Sequence, residues 1–283
     1  MGRHLNEAQV RAYHHDGFVF PVDIFTQAEA AAYRARLEAS EAAHGGVNYT
    51  MKPYLAMTLA DALAHNEALL DAVEDILGPD LLIWDGAFII KEPGDGRFVS
   101  WHQDLTYWGI GPAEGVVSVW LALSHAWPEN GCMRAVPGSH RSGVLAHDDT
   151  FGEGNLLSRG QTIAGGLDES AAVDIVLAPG QMSLHHGLVA HGSNPNTANE
   201  RRIGFNLQFI RPEVRQMHMD DDSAMLARGR DACGNFRPEP RPSADFAPQS
   251  LAFARDIGER RQKMLFRGSG ADAAKKDRYR AID

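Results

Sequence analysis

Residues 201–210 read Arg-Arg-Ile-Gly-Phe-Asn-Leu-Gln-Phe-Ile, and their alternation decides what kind of fold to expect. Ile203, Phe205, Leu207 and Phe209 fall on one face of an extended chain, and Arg202, Gly204, Asn206 and Gln208 on the other, because side chains alternate with a period of two along a strand. Such a strand suits two situations. Its polar face is open to solvent, or it is a barrel wall whose outer side packs under helices while its inner side lines a wet cavity that holds a ligand.

Outward from this run, other β-rich stretches recur from Leu81 onward: LLIWDGAFIIK (81–91), GVVSVWLALS (115–124), VDIVLA (173–178) and QMSLHH (181–186), separated by Gly, Pro and Asn. That spacing indicates a sandwich or barrel. The N-terminal third reads mostly helical. Thr26 followed by Glu29 is a capping box for a helix over about 27–43, and a second helical stretch over 59–77 stops at the breaker pair Gly78-Pro79. Asp16-Gly17 is a turn leading into a strand at Phe18. Residues 211–250 are rich in Pro, Arg and Asp and read as loops or a lid; about 250–266 is helical, and a charged end follows. The expected fold class is mainly β with flanking α-helices. A single domain over 1–283 would hold a helical cover at about 1–80, a barrel core at about 81–212, and a lid with a C-terminal helix at about 213–283.

The chain has 283 residues, with 27 Lys and Arg against 37 Asp and Glu, a net charge of −10. That charge repels phosphate backbones and anionic headgroups, so nucleic acid and membrane are not the expected partners. No apolar run approaches the roughly 18 residues that span a bilayer. The opening MGRHLNEAQV lacks the apolar segment of a signal peptide. Two cysteines, Cys132 and Cys233, are too few for a disulfide scaffold. These features point to an acidic cytoplasmic protein acting on a small molecule.

Thirteen histidines make the choice of site residues a matter of spacing. His-x-Asp on a strand directs an imidazole and a carboxylate to one face, and a distant His completes a triad with three positions open, the arrangement of non-haem Fe(II) oxygenases. The pattern occurs at His14-Asp16, His102-Asp104 and His218-Asp220. His14 precedes a turn at the end of a short helix, and His218 has no histidine downstream, which leaves His102-Asp104, within Trp101-His102-Gln103-Asp104. Third-ligand candidates are His125, His140, His147, His185, His186 and His191. His191 stands out because Arg202 lies eleven residues further on, the length of a hairpin that brings a guanidinium near the metal to clamp a dicarboxylate.

The runs WHQDLTYWG, VSVWLALSHAWPENGCMRAVPGSHRSGVL and LAPGQMSLHHGLVAHGSNPNTANERRIGFNLQFI, with YHHDGFVF near the start, resemble the phytanoyl-CoA dioxygenase-like family over roughly 12–212. The resemblance implies a double-stranded β-helix (a jelly-roll, cupin-like barrel) and an oxygenase dependent on Fe(II), 2-oxoglutarate and O2. It implies His102, Asp104 and His191 as metal ligands, and Arg202 with Ser193 on the distal carboxylate of 2-oxoglutarate. Trp120 would line the cosubstrate pocket and Lys91 would lie near it, although a solvated strand-end lysine is the competing reading. Related halogenases carry Ala or Gly in place of the carboxylate, so Asp104 favours hydroxylation, with release of succinate and CO2.

Substrate contacts are expected from Tyr107 and Trp108 after the metal motif, from Arg134 and Arg141 at the barrel mouth, and from Asn155 and Arg159 on a loop above the site. His186 and Arg215 are further candidates, while Cys132 reads as a small buried hydrophobe. The expected substrate is a small polar metabolite or natural-product intermediate. The same cofactors also serve desaturation or ring formation. The remaining alternatives are a cupin-like binding protein without turnover and a zinc hydrolase using the same three ligands.

Overall fold

The computed structural model describes residues 2–266 and 280–281; the charged end expected after Phe266 lies, apart from residues 280–281, outside them. The helices are α1 (Glu7–Asp16), α2 (Gln27–His44), α3 (Thr58–Ala64), α4 (Glu67–Leu77), α5 (Leu105–Trp108) and α6 (Pro248–Leu265). The strands that build the two larger sheets are β1 (Phe18–Asp23), β2 (Leu81–Lys91), β3 (Val99–His102), β4 (Val116–Ala122), β5 (Met133–Ala135), β6 (Val173–Ile175), β7 (Gln181–His186), β8 (His191–Ser193), β9 (Arg202–Ile210), β10 (Ser223–Arg228) and β11 (Arg237–Pro238).

Local chemistry sets the helix ends. The backbone N–H of Glu29 donates to the Thr26 hydroxyl (3.2 Å) while that of Thr26 donates to the Glu29 carboxylate (2.8 Å), the expected capping box. Gly17, at φ +85°, closes α1 by donating its N–H to the Tyr13 carbonyl (2.8 Å). The single helix expected over 59–77 is two. The chain breaks at His65-Asn66, where the Asn66 side chain accepts from the Leu69 N–H (3.1 Å) and caps α4.

A seven-stranded sheet has the order β1-β7-β4-β9-β2-β10-β11, and a four-stranded sheet the order β6-β5-β8-β3. In the larger sheet β9 runs antiparallel between β2 and β4, with Arg202 opposite Lys91 and Asn206 opposite Trp120 and Ala87. The apolar residues Ile203, Phe205, Leu207 and Phe209 are fully buried in one cluster with Leu59, Leu63, Leu70 and Val73 of the helices and Val119 and Leu121 of β4. Each such side chain contributes roughly 1.5–3 kcal/mol through burial. On the other face Arg202 at 2% exposure and Gln208 at 3% are buried too, and with the half-buried Asn206 they line an interior cavity. A second cluster, with Trp120, Ala122, Met133, Ala135 and Ile175, joins the two sheets.

The large sheet extends beyond the 81–212 segment at both ends. On one side β1 pairs with β7 as an edge strand, where Pro21 sits in a register irregularity between Val19 and Val22. On the other, β10 pairs with β2 inside the stretch expected to be loops or lid. Only Ser223, Ala224 and Met225 of β10 are buried, so no run of alternating apolar residues marks that strand. Among the described residues no helix is long and apolar enough to cross a membrane.

Candidate metal and cosubstrate site

Two short strands of the smaller sheet place the imidazoles. His102 ends β3, His191 begins β8, the two are register partners, and their rings lie 4.2 Å apart. Asp104 is not on a strand. Its backbone (φ −57°, ψ −46°) already opens α5, so the shared direction of His102 and Asp104 comes from a strand-to-helix turn and not from strand parity. Gln103 holds that turn: its side-chain amide donates to the Gly143 (2.9 Å) and Leu188 (2.7 Å) carbonyls, and its oxygen accepts from the Leu145 N–H (2.7 Å).

The donor atoms converge. Asp104 Oδ1 stands 3.4 Å from His102 Nε2 and 3.7 Å from His191 Nε2, and one ligand atom from each residue lies within 4.8 Å of the others. His102 Nδ1 faces the Ser100 carbonyl (2.9 Å) and His191 Nδ1 the Val189 carbonyl (3.0 Å). A carbonyl only accepts, so each ring carries its proton on Nδ1 and turns a bare Nε2 lone pair toward the carboxylate. Three electron-rich atoms aimed at one point fit a cation bound at about 2 Å from each. Burial and the neighbouring His102 hold the His191 imidazole down at about 3. Burial works to raise the Asp104 carboxyl, but its polar surroundings, the His185 Nε2 beside Oδ2 among them, outweigh it and hold it well below the usual carboxylate range. His191 and Asp104 are thus in their metal-binding protonation states at neutral pH.

Beside the triad, β2 and β9 bury two basic side chains, Lys91 and Arg202. Lys91 is fully buried, donating from Nζ to Ser193 Oγ (2.7 Å) and to the Asn194 carbonyl, which excludes the solvated-lysine reading. The Arg202 Nη1 donates to the Gly131 carbonyl, its Nε has no partner, and its guanidinium lies 5.2 Å from the Trp120 ring centre. Among the described residues no carboxylate pairs with Arg202 or Lys91. Burial, together with Arg202, pulls Lys91 down to about 6, and burial brings Arg202 down to about 10. A desolvated guanidinium beside a lysine pressed toward its neutral form, neither with a counter-charge, is costly, and a bound anion relieves both. Arg202, Ser193 and Trp120 line the same cavity of about 150 Å³ as His102, Asp104 and His191.

Residues 13–204 match the phytanoyl-CoA dioxygenase (PhyH) family. The chain belongs to that family. Human peroxisomal phytanoyl-CoA dioxygenase is 30% identical over 144 residues, which are 50% of this chain and 43% of that protein; the chain therefore spans less than half the length of that relative. The solved structure of ThoJ, a non-haem monooxygenase in its apo form, is 38% identical with a TM-score of 0.81, covering 91% of this chain and 97% of ThoJ. CytC3 with Fe(II) and α-ketoglutarate has a TM-score of 0.61 at 21% identity, covering 85% of this chain and all of CytC3, and shares the fold.

The remaining residues singled out from the sequence divide around this phytanoyl-CoA dioxygenase-family site. Tyr107 and Trp108 line the cavity. Arg134 does not: it pairs with Glu169 (3.1 Å) and Asp174 (3.4 Å), carboxylates of its own surface. Arg141 is exposed, donates to the His15 carbonyl and borders a separate recess beside α1. Asn155 is buried and donates to the Ser100 hydroxyl (2.8 Å), pinning its loop to β3 instead of facing the cavity. Arg159 pairs with Asp149, donates to the Leu265 carbonyl (3.2 Å) and covers the Tyr107 ring, so it ties the loop to α5 and α6. Arg215 is exposed outside the cavity.

His186 is also misplaced, by one residue. It faces His140 outside the cavity, whereas His185 is the one inside. Met182 and Leu184 on the outer face of β7 carry the signal, since His186 shares their parity and His185 does not. Two further features escaped the sequence reading. A Cβ on Gly204 would meet the Trp120 ring at 2.0 Å, so that glycine is what lets the indole lie flat on β9. Arg261, Met264 and Leu265 of α6, beyond the family match, form part of the cavity wall.

Proposed function

We propose that this chain is an Fe(II)- and 2-oxoglutarate-dependent oxygenase. It hydroxylates an unactivated C–H bond of a small polar metabolite or natural-product intermediate, with release of succinate and CO2. The observation that carries this reading is one cavity lined by a His-Asp-His donor set and by Arg202, a buried guanidinium with no carboxylate partner among the described residues, with Lys91 behind Ser193 at its edge. A two-His, one-carboxylate set with open positions suits non-haem Fe(II), and a zinc hydrolase has no use for the adjacent buried guanidinium. The family assignment and the 38% identity to a non-haem monooxygenase support the same class.

His102, Asp104 and His191 would hold the ion, and the bound ion with its cosubstrate and O2 supplies the oxidising chemistry. The chain does the placing. Arg202 and Lys91, with the Ser193 hydroxyl between the lysine and the cavity, receive the distal carboxylate of a five-carbon diacid. Trp120 and Met133 close the wall beside it, and Tyr107 and Trp108 border the space left for the primary substrate. Residues 1–283 are read as one catalytic unit, with α6 contributing to the cavity. Both cysteines are unpaired, in keeping with a cytoplasmic setting.

The test is oxygen-dependent succinate formation by the iron-loaded protein over a panel of small polar metabolites. The expected result is succinate in proportion to a product 16 mass units heavier than its substrate. Products lighter by two mass units would replace hydroxylation by desaturation, and an absence of succinate with every member of the panel would count against turnover.

A further inference from the structure

The Asp104 carboxylate uses its two oxygens differently. Oδ1 faces the His102 and His191 Nε2 atoms, while Oδ2 accepts from the Ser118 hydroxyl at 2.8 Å and has His185 Nε2 3.5 Å away. Ser118 is fully buried and His185 is 1% exposed. They come from register partners on β4 and β7, so the larger sheet reaches across to hold an oxygen of the residue in the turn that follows β3 of the smaller one. The His185 ring centre lies 5.0 Å from that of His191, and its Nδ1 has no partner. Its Nε2 faces that carboxylate, a contact in which Nε2 carries the proton.

We infer that Ser118 and His185 are positioning residues that hold Asp104 so that it would offer one oxygen to the ion, with Oδ2 tied back and room left for the cosubstrate. This rests on the metal reading above and extends it to residues that touch neither metal nor cosubstrate. A carboxylate free of such partners can turn both oxygens to a hard divalent ion, which closes a position that a chelating 2-oxo acid needs. Partners of this kind commonly govern ligand geometry around a bound metal.

The experiment compares the wild-type protein, Ser118→Ala/His185→Phe and His185→Gln, each loaded with Co(II). Gln keeps an N–H donor at a similar reach. The readouts are Co(II) affinity, the Co(II) visible spectrum, and anaerobic 2-oxoglutarate affinity. In the double variant Co(II) should still bind while 2-oxoglutarate affinity falls about tenfold or more beyond any loss of Co(II) affinity, with a changed Co(II) spectrum before cosubstrate is added. His185→Gln should resemble the wild type in all three. An unchanged spectrum and unchanged 2-oxoglutarate affinity in the double variant would overturn the inference. Loss of Co(II) from a folded double variant would also overturn it, since the pair would then be holding the carboxylate in place and not selecting one oxygen. If the wild type itself binds no Co(II) at the triad, the metal reading fails, and the inference falls with it.

Discussion

Arg202 shows how a residue's role depends on what is missing around it. A surface arginine loses little when unpaired, but a guanidinium at 2% exposure with an unpartnered Nε awaits an anion. Arg202→Ala should weaken 2-oxoglutarate binding by about 100-fold or more, the effect of removing one partner of a buried pair. Metal affinity measured on the same variant should hardly change. Lys91 gives a prediction in pH. Its ammonium is pulled from 10.5 to about 6 by burial and by Arg202, so the free protein carries a neutral amine above pH 6. A dianion bound beside it favours the charged form. Binding should therefore take up a proton above pH 6, and affinity should fall as pH rises further, by at most about tenfold per unit. Calorimetry in buffers of different ionisation enthalpy measures that uptake, and none would show that Lys91 is not coupled to the anion. Spacing made His102, Asp104, His191 and Arg202 legible in the sequence. Arg134, Arg141 and Arg215 were misjudged because composition does not reveal whether a local carboxylate or open solvent already satisfies a charge.

The elements succeed or fail as predictions according to how local their signal is. β9 was legible because its two faces alternate without interruption, and α2 because its capping box lies within four residues. The break between α3 and α4 depends on one Asn side chain, and β10 on pairing with a distant strand, so neither stands out in a hydropathy pattern. Gly204 tests how tightly β9 fits its neighbour. Gly204→Ala should displace Trp120, costing about 1–3 kcal/mol of stability through overpacking, and should weaken 2-oxoglutarate binding beyond what that loss alone produces. The hold on α6 is separately measurable. Arg261 at 1% exposure pairs with Asp85 (2.9 Å) and Asp222 (2.8 Å) and lies 4.1 Å from the Trp84 ring centre. Arg261→Leu removes the guanidinium that pairs with both buried carboxylates, and urea unfolding should show a loss of about 3–5 kcal/mol.

Across the whole molecule, the larger sheet has an apolar side under helices and a polar side facing the cavity, while the smaller sheet carries the two imidazoles on β3 and β8. The helices serve the outer face, which is why the sequence could read the fold from one strand plus its cover. How α6 and the 145–165 loop meet over the cavity was not legible, because those contacts join segments about 100 residues apart, as Arg159 joins the Leu265 carbonyl. Ligands that bind only the folded state raise its stability by mass action, about 2.7 kcal/mol at one hundred times the dissociation constant. Melting temperature should thus rise with Fe(II) or Co(II), and rise again with 2-oxoglutarate only when metal is present. The most direct test is an anaerobic titration of the Fe(II)-loaded protein with 2-oxoglutarate, followed by the visible charge-transfer band of the chelate. One equivalent should bring the band to full intensity in the wild type, while Arg202→Ala should need far more and His191→Ala should give none. A full band in His191→Ala, or none in the wild type, would contradict the triad on which the oxygenase reading stands.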